Sequence, residues 1–330
     1  MNPELSVVIP VYDEEESLPE LTQWIRRVMD EHGFTFEVIM VDDGSSDNSW
    51  EQIVKISNED RRFKGIRLNR NFGKSAALQT GFRATSGNVV ITMDADMQDS
   101  PDEIPALYSM IVNDGYQLVS GWKKVRRDPL SKTIPSRLFN YVTRQLSGIR
   151  LHDFNCGLKA YSGTVVKNIS VYGEMHRYIP LIAKWAGYNR IGEKVVEHRP
   201  RKYGRTKYGI RRLITGFLDL LSVLFVGRFR QKPMHFFGTI GSLSFLFGII
   251  FTLKVIGEKM YALFVLGVPA KRAITDQPLF YLALVAVVIG TQLFLTGFLA
   301  ELLSLQSVSK KDYLISDKIG FTDEQFITTV

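Results

Sequence analysis

The chain has 330 residues and a single cysteine, Cys156, so no internal disulfide can form. A disulfide-stapled secreted scaffold and a thiolate-ligated structural zinc site are both excluded. Met1 to Pro10 runs directly into a β-rich apolar stretch, which predicts no signal peptide. Histidine is scarce, and His152, His176 and His198 lack metal-ligand spacing, so they are read as hydrogen-bonded structural residues. Gly73-Lys74-Ser75 lacks the glycine a phosphate loop needs five residues earlier, where Leu68 stands, and reads instead as a helix start. There are no internal repeats and no low-complexity tracts.

What is present is a substantial core and an uneven charge. With 45% hydrophobic residues the chain is not disordered, and its length suits about two domains. The net charge of +7 hides a segregation: residues 1–121 hold 10 basic and 21 acidic residues, and the rest hold 31 and 13. An acidic front and a basic back imply two tasks, and no nucleic-acid partner is expected.

Leu5–Val11, Phe36–Val41, Gly65–Leu68 and Val89–Met93 are continuous apolar runs that predict buried strands. Between them Leu18, Leu21, Ile25 and Val28 fall at helical spacing, and Ser49–Ile56 and Ser75–Arg83 also predict helices. Such alternation predicts a parallel α/β sheet, with ligands outside the carboxyl ends of its strands. Those ends are acidic: Asp13-Glu14-Glu15-Glu16, Asp42-Asp43 and Asp94-Ala95-Asp96. Two carboxylates one residue apart at a strand end suit a hard divalent cation shared with substrate phosphates.

Farther on, Phe236–Leu253 and Gln277–Ala300 carry no charge for 18 and 24 residues, enough to cross a hydrocarbon core of about 30 Å. A pair of buried core helices is the competing reading. Arg228, Arg230 and Lys232 before the first span, with Lys310 and Lys311 after the second, predict a cytoplasmic amino-terminal domain and tail. Lys259, Lys271 and Arg272 in the connecting loop weaken that contrast. Tyr208–Phe229 reads as an amphipathic helix at the membrane interface, and Pro135–Ile149 has similar character.

The runs VVIPVYDEEESL, VDDGSSDNS, NFGKSAALQTGF and MDADMQDSPDE together resemble the signatures of family 2 glycosyltransferases of GT-A fold. The resemblance is narrower to the polyprenyl-phosphate branch, the dolichyl- and undecaprenyl-phosphate sugar transferases. It extends through DFNCGLKAY (Asp153 to Tyr161), EMHRYIP (Glu174 to Pro180), RKYGRTKY (Arg201 to Tyr208) and the paired spans.

The resemblance implies inverting transfer of one sugar from a UDP- or GDP-linked donor to a polyprenyl phosphate at the membrane. Pro10, Tyr12, Glu14, Asp42, Asp43, Lys74, Asp94 and Asp96 would then hold the nucleotide sugar, while Asp94, Asp96 and Gln98 would hold Mg²⁺ or Mn²⁺. Asp153 and Asp96 would be catalytic, and Lys123, Arg126, Arg137, Arg201 and Lys207 would grip the acceptor phosphate. Asp13 departs from the family's usual Asn, and Thr206 from its commoner Ser.

The implied organisation is a GT-A catalytic domain over 1–207, an interfacial helix over 208–232, a two-helix anchor over 233–304 and a cytoplasmic tail over 305–330. The active site is expected on the cytoplasmic face of the lipid bilayer, and homo-oligomer formation is left open.

The acceptor's chemistry agrees. A phosphate monoester with a second pKa of about 6 is largely ionised at neutral pH and needs no strong base to act as a nucleophile. It needs cations that align one anion beside another. Residues 122–150 supply eight basic residues against one Asp, and residues 199–232 supply ten against one. Family 2 transfer to a glycan hydroxyl and a non-catalytic membrane scaffold are the alternatives; the first would need a stronger general base and fewer acceptor-side arginines.

Overall fold

Strand β1, Leu5–Val11, is buried on both faces, as a central strand between two helical layers must be. The computed structural model describes residues 3–124, 140–145, 147–200, 202, 233–267, 273–306 and 315–319. Around β1 it places β2 (Phe36–Asp42), β3 (Phe63–Leu68), β4 (Val89–Thr92), β5 (Leu118–Trp122), β6 (Lys159–Ser162), β7 (Ile191–Val195) and β8 (Ile315–Ile319) in one eight-stranded sheet. The order is β7-β5-β6-β4-β1-β2-β3-β8. As predicted, β1 to β4 are mutually parallel. Strands β6 and β8 run antiparallel to their neighbours, which the apolar runs did not disclose.

Helices cover both faces. On one side α1 (Leu18–Glu31), α2 (Ser49–Glu59) and α4 (Ile104–Val112) pack Leu21, Ile25, Ile53 and Leu107 against Val7, Ile9 and Val38. On the other, α3 (Lys74–Ala84) packs Ala76 and Ala77 against Ile39, Val41 and Ile66, its small residues letting it lie close to the sheet. Two short helices, α5 (Gly163–Asn168) and α6 (Ile179–Trp185), complete this part. Proline at the start of α1 and of α6 costs no hydrogen bond, because the first helical N–H groups have no intrahelical acceptor.

Helix α7 (Pro233–Phe264) encloses the first predicted span, and α8 (Pro278–Gln306) covers the second from Pro278 onward. Each is long and apolar enough to cross a membrane, and only 17% of its apolar window is buried, which disfavours a pair of soluble core helices. They pack through small residues: a Cβ on Gly241 would lie 2.7 Å from the Gly290 carbonyl oxygen, and one on Gly290 would lie 2.6 Å from the Phe245 nitrogen.

The chain divides into two units, Met1–Val223 with Asp312–Val330, and Leu224–Lys311. Within the expected tail, Ile315–Ile319 forms β8 and completes the sheet beside β3. The expected interfacial helix over Tyr208–Phe229 lies outside the described residues. Of Pro135–Ile149, residues 140–145 are helical, with Asn140 buried and Tyr141 exposed.

Candidate active site

Strand order reverses at β1, which has β4 on one side and β2 on the other, and a crevice opens at their carboxyl ends. The loops there are laced together. Asp43 N–H donates to the Val11 carbonyl (2.8 Å), Asp13 N–H to Ser45 Oγ (2.9 Å), and Ser46 N–H to Asp13 Oδ1 (2.8 Å). Asp13 adopts φ +48°, a left-handed conformation that Asp and Asn tolerate best after glycine, so its place in an Asn position keeps the turn. Gly44 is needed for close approach: a Cβ there would lie 2.5 Å from the Arg70 carbonyl carbon. The resulting groove of about 380 Å³ is lined by Pro10, Tyr12, Glu14 and Asp43, by Asn71, Gly73 and Lys74 at the start of α3, and by Asp94 and Asp96.

Asp43 accepts N–H bonds from Phe72 and Gly73, one on each oxygen, both at 2.8 Å. Burial outweighs these bonds and pushes its carboxyl up to about 6. Asp42 lies behind the groove, fully buried, with Oδ1 accepting the Ser45 N–H (3.0 Å) and Oδ2 3.3 Å from Arg67 Nε.

Asp94 follows β4 by two residues and is the electrostatic centre. Burial alone would raise its carboxyl, but the Lys74 ammonium paired with it, helped by Lys123 and Lys159, holds it well below the usual carboxylate range. Lys74, expected at the nucleotide, thus faces the first aspartate of the D-x-D. Asp96 is buried at the groove wall, and its Oδ1 accepts the Gln98 N–H at 3.2 Å. Met97 follows at φ +62°, a strained conformation for an unbranched apolar residue, next to the groove.

Several expected residues sit elsewhere. Lys123, expected at the acceptor phosphate, is ion-paired inside the protein: its Nζ is 2.8 Å from Oδ1 of the fully buried Asp99. Burial opposes its charge, but Asp99 more than restores it and raises the ammonium above its ordinary range. Gln98 does not line the groove. Asp153 is 1% exposed and also off the groove; its Oδ1 accepts the Asn155 N–H (3.0 Å). Arg126, Arg137, Arg201 and Lys207 lie outside the described residues. His152 stacks on Trp122 and bonds Glu193, and Cys156 is buried, its thiol pushed up to about 12 by burial.

Other residues were not assigned from sequence. Lys159 on β6 is 3% exposed beneath Asp94, with Nζ donating to the Cys156 carbonyl, and burial lowers its pKa. A lysine between Leu158 and Ala160 in a buried strand was the available signal. Gly157 approaches Asp94 so closely that a Cβ would lie 2.5 Å from Oδ2. Glu174, His176 and Arg177 also line the groove.

The donor set fits a hard cation. Asp94 and Asp96 offer only oxygen, and among the described residues no group of three or more His, Cys, Asp or Glu forms a complete cage. A protein that supplies only part of a coordination shell suits a metal completed by substrate phosphates. The Lys74 ammonium already places positive charge against Asp94.

Comparison with known proteins agrees with this geometry. Residues 6–170 match the profile of Glycosyl transferase family 2. The chain is 36% identical over 304 residues to dodecaprenyl-phosphate galacturonate synthase of Rhizobium johnstonii, covering 91% of this chain and 88% of that one. It is 33% identical over 272 residues to undecaprenyl-phosphate 4-deoxy-4-formamido-L-arabinose transferase of Pseudomonas syringae pv. syringae, covering 79% of each. Among solved structures it resembles glucosyl-3-phosphoglycerate synthase from Mycobacterium tuberculosis in complex with Mn²⁺, UDP-glucose and glycerol 3-phosphate. There the TM-score is 0.52 at 21% identity, covering 68% of this chain and 80% of that one, a likeness of fold. The chain belongs to glycosyltransferase family 2, on a GT-A fold, in the branch of the polyprenyl-phosphate sugar transferases.

Proposed function

We propose that this protein moves one sugar from a nucleotide sugar to a polyprenyl phosphate with inversion at the anomeric carbon. The observation that carries the proposal is the groove at the β1/β4 switch point, where Asp94 and Asp96 face the β1 exit loop and the Asp43-anchored loop before α3. Both named relatives are lipid-phosphate sugar transferases over most of this chain's length.

An oxygen of the lipid phosphate attacks the anomeric carbon as the bond to the nucleoside diphosphate breaks. The chain's own groups bind and orient. The Tyr12–Glu14 loop and Asp43 shape the nucleotide end, and Lys74 brings positive charge to the D-x-D. Asp153, buried and bonded to the Asn155 N–H, has an orienting role on its loop. Asp94 and Asp96 would hold Mg²⁺ or Mn²⁺, which when bound supplies charge neutralisation to the diphosphate leaving group.

The same reading places the enzyme in a membrane through α7 and α8, with its site on the cytoplasmic face. The chain leaves one unit before α7 and returns to its sheet at β8, which supports an even number of crossings.

The test is transfer of radiolabelled sugar from a panel of UDP- and GDP-sugars into an organic-soluble, mild-acid-labile product. No such product from any donor would sink the proposal, and label in an acid-stable glycan would favour a hydroxyl acceptor. Asp96→Asn should lower Mn²⁺- or Mg²⁺-dependent turnover by about 100-fold or more, with the protein still in the membrane fraction. Full turnover in that variant would remove Asp96 from the metal site.

A further inference from the structure

We propose that Arg177 binds a phosphate oxyanion in the groove. This deepens the function proposed above and rests on it.

Arg177 lines the groove together with Asp94 and Asp96, and also lines a small cavity beneath Asp94 beside Lys74 and Lys159. It is 9% exposed, yet its Nε–H has no hydrogen-bond partner. Its one ion pair among the described residues runs from Nη2 to Glu174 Oε2 at 3.4 Å, and the Glu174 side chain is half exposed. A guanidinium carries five N–H donors in a fixed fork, and buried donors are nearly always paired. A long contact to a solvated carboxylate does not account for its burial. An oxyanion does, because the fork matches phosphate geometry.

The placement is held from behind. His176 N–H donates to Ser75 Oγ at 3.0 Å, and His176 Nδ1 lies 3.1 Å from the same oxygen, which ties this segment to the first turn of α3. Lys74, the preceding residue on that turn, is committed to Asp94. A ligand carrying two or three phosphate charges into an otherwise acidic groove meets Arg177 as the cation with donors to spare. The α6 helix begins two residues later, with Pro180 in its first turn, so the arginine sits at a rigid junction.

The phosphate oxygen could come from the donor's diphosphate or from the lipid acceptor, and binding to full-length protein in detergent separates the two. The probes are UDP and GDP with Mn²⁺, the nucleosides uridine and guanosine as phosphate-free controls, and a short-chain polyprenyl phosphate. Arg177→Met should weaken either the nucleoside diphosphates or the polyprenyl phosphate by tenfold or more, with nucleoside binding within twofold of wild type. Arg177→Lys should recover part of that loss, since it keeps the charge and loses the fork. Should the Met variant fail to fold, the Lys variant carries the same comparison, with a loss of at least threefold expected.

Both phosphate arms unchanged within twofold would overturn the proposal. So would nucleoside and nucleotide affinities falling in parallel, which would mark a purely structural arginine. Failure of the wild-type protein to make any lipid-linked sugar would sink the proposed function and still leave the binding arms to decide the role of Arg177.

Discussion

Around Asp94, single atoms set the chemistry. Three lysines from three separate segments hold this carboxylate ionised, and the missing side chain of Gly157 gives it room. Gly157→Ala should push the carboxylate aside and leave the fold in place, because a side-chain end yields more easily than backbone. Transfer should fall about 10- to 100-fold, the scale of a small misplacement of a binding group. Thermal stability should change by about 1 kcal/mol or less. Parallel turnover and melting measurements decide it, and wild-type turnover would show that the contact is dispensable.

Asp43 predicts a pH dependence at the same scale. With its carboxyl raised to about 6, acidification from neutrality protonates it in the folded state and weakens its hold on the Phe72 and Gly73 N–H groups. Affinity for a nucleotide sugar, whose diphosphate does not titrate in this range, should fall as pH drops through 6. Folding stability moves the opposite way for this group. Its folded pKa is above the unfolded one, so the stability it contributes is complete below an unfolded pKa of about 3.9 and is lost as pH rises through 6. Weaker binding at low pH without unfolding is therefore the expected signature. In Asp43→Asn the affinity should be low and flat, and a wild-type affinity that does not change between pH 7 and 5 would refute the role.

Among the elements, the parallel strands are pinned from the end opposite the groove. Glu37, opening β2, accepts from the Ser6 hydroxyl on β1, from both the N–H and the hydroxyl of Ser86 before β4, and from Lys64 on β3. Burial pushes its carboxyl up, but these bonds win and the net shift is downward. Its stability contribution is thus present above about pH 4.3 and is lost as pH falls below that. Glu37→Ala removes the buried carboxylate that Ser6, Lys64 and Ser86 share and should cost about 3 to 5 kcal/mol in a thermal or denaturant melt. Glu37→Gln should flatten the acid side of the stability profile, and an unchanged acid slope would remove Glu37 as its source.

Across the whole molecule, strand β8 carries the topology. In the proposed two-span arrangement, a chain that leaves the catalytic unit before α7 and rejoins its sheet after α8 would return to the side it left. Because Cys156 is 2% exposed and its thiol is raised to about 12, the native protein gives a blank background for thiol labelling. In right-side-out vesicles an impermeant maleimide should label Leu266→Cys, between the two helices. It should label Asn58→Cys, exposed on α2, only after permeabilisation. Equal labelling of both in sealed vesicles would refute the two-span arrangement.

Much of this was legible in the sequence, and the reason is locality. The four parallel strands, α1 to α3 and both apolar helices follow from runs and spacings whose periodicity reports burial directly. The convergence of three acidic strand ends followed too, because a parallel sheet brings its carboxyl ends to one edge. What tertiary structure alone decided are pairings between distant segments. The antiparallel β6 and the returning β8 depend on contacts with no local signal. Lys123, which the resemblance assigns to the acceptor phosphate, turns inward to Asp99 because a buried carboxylate must be paired. Lys159 beneath Asp94 and Arg177 in the groove arrive from segments more than sixty residues away. Charge density along a chain states how many cations are available, and only packing decides which of them face a ligand and which neutralise the core.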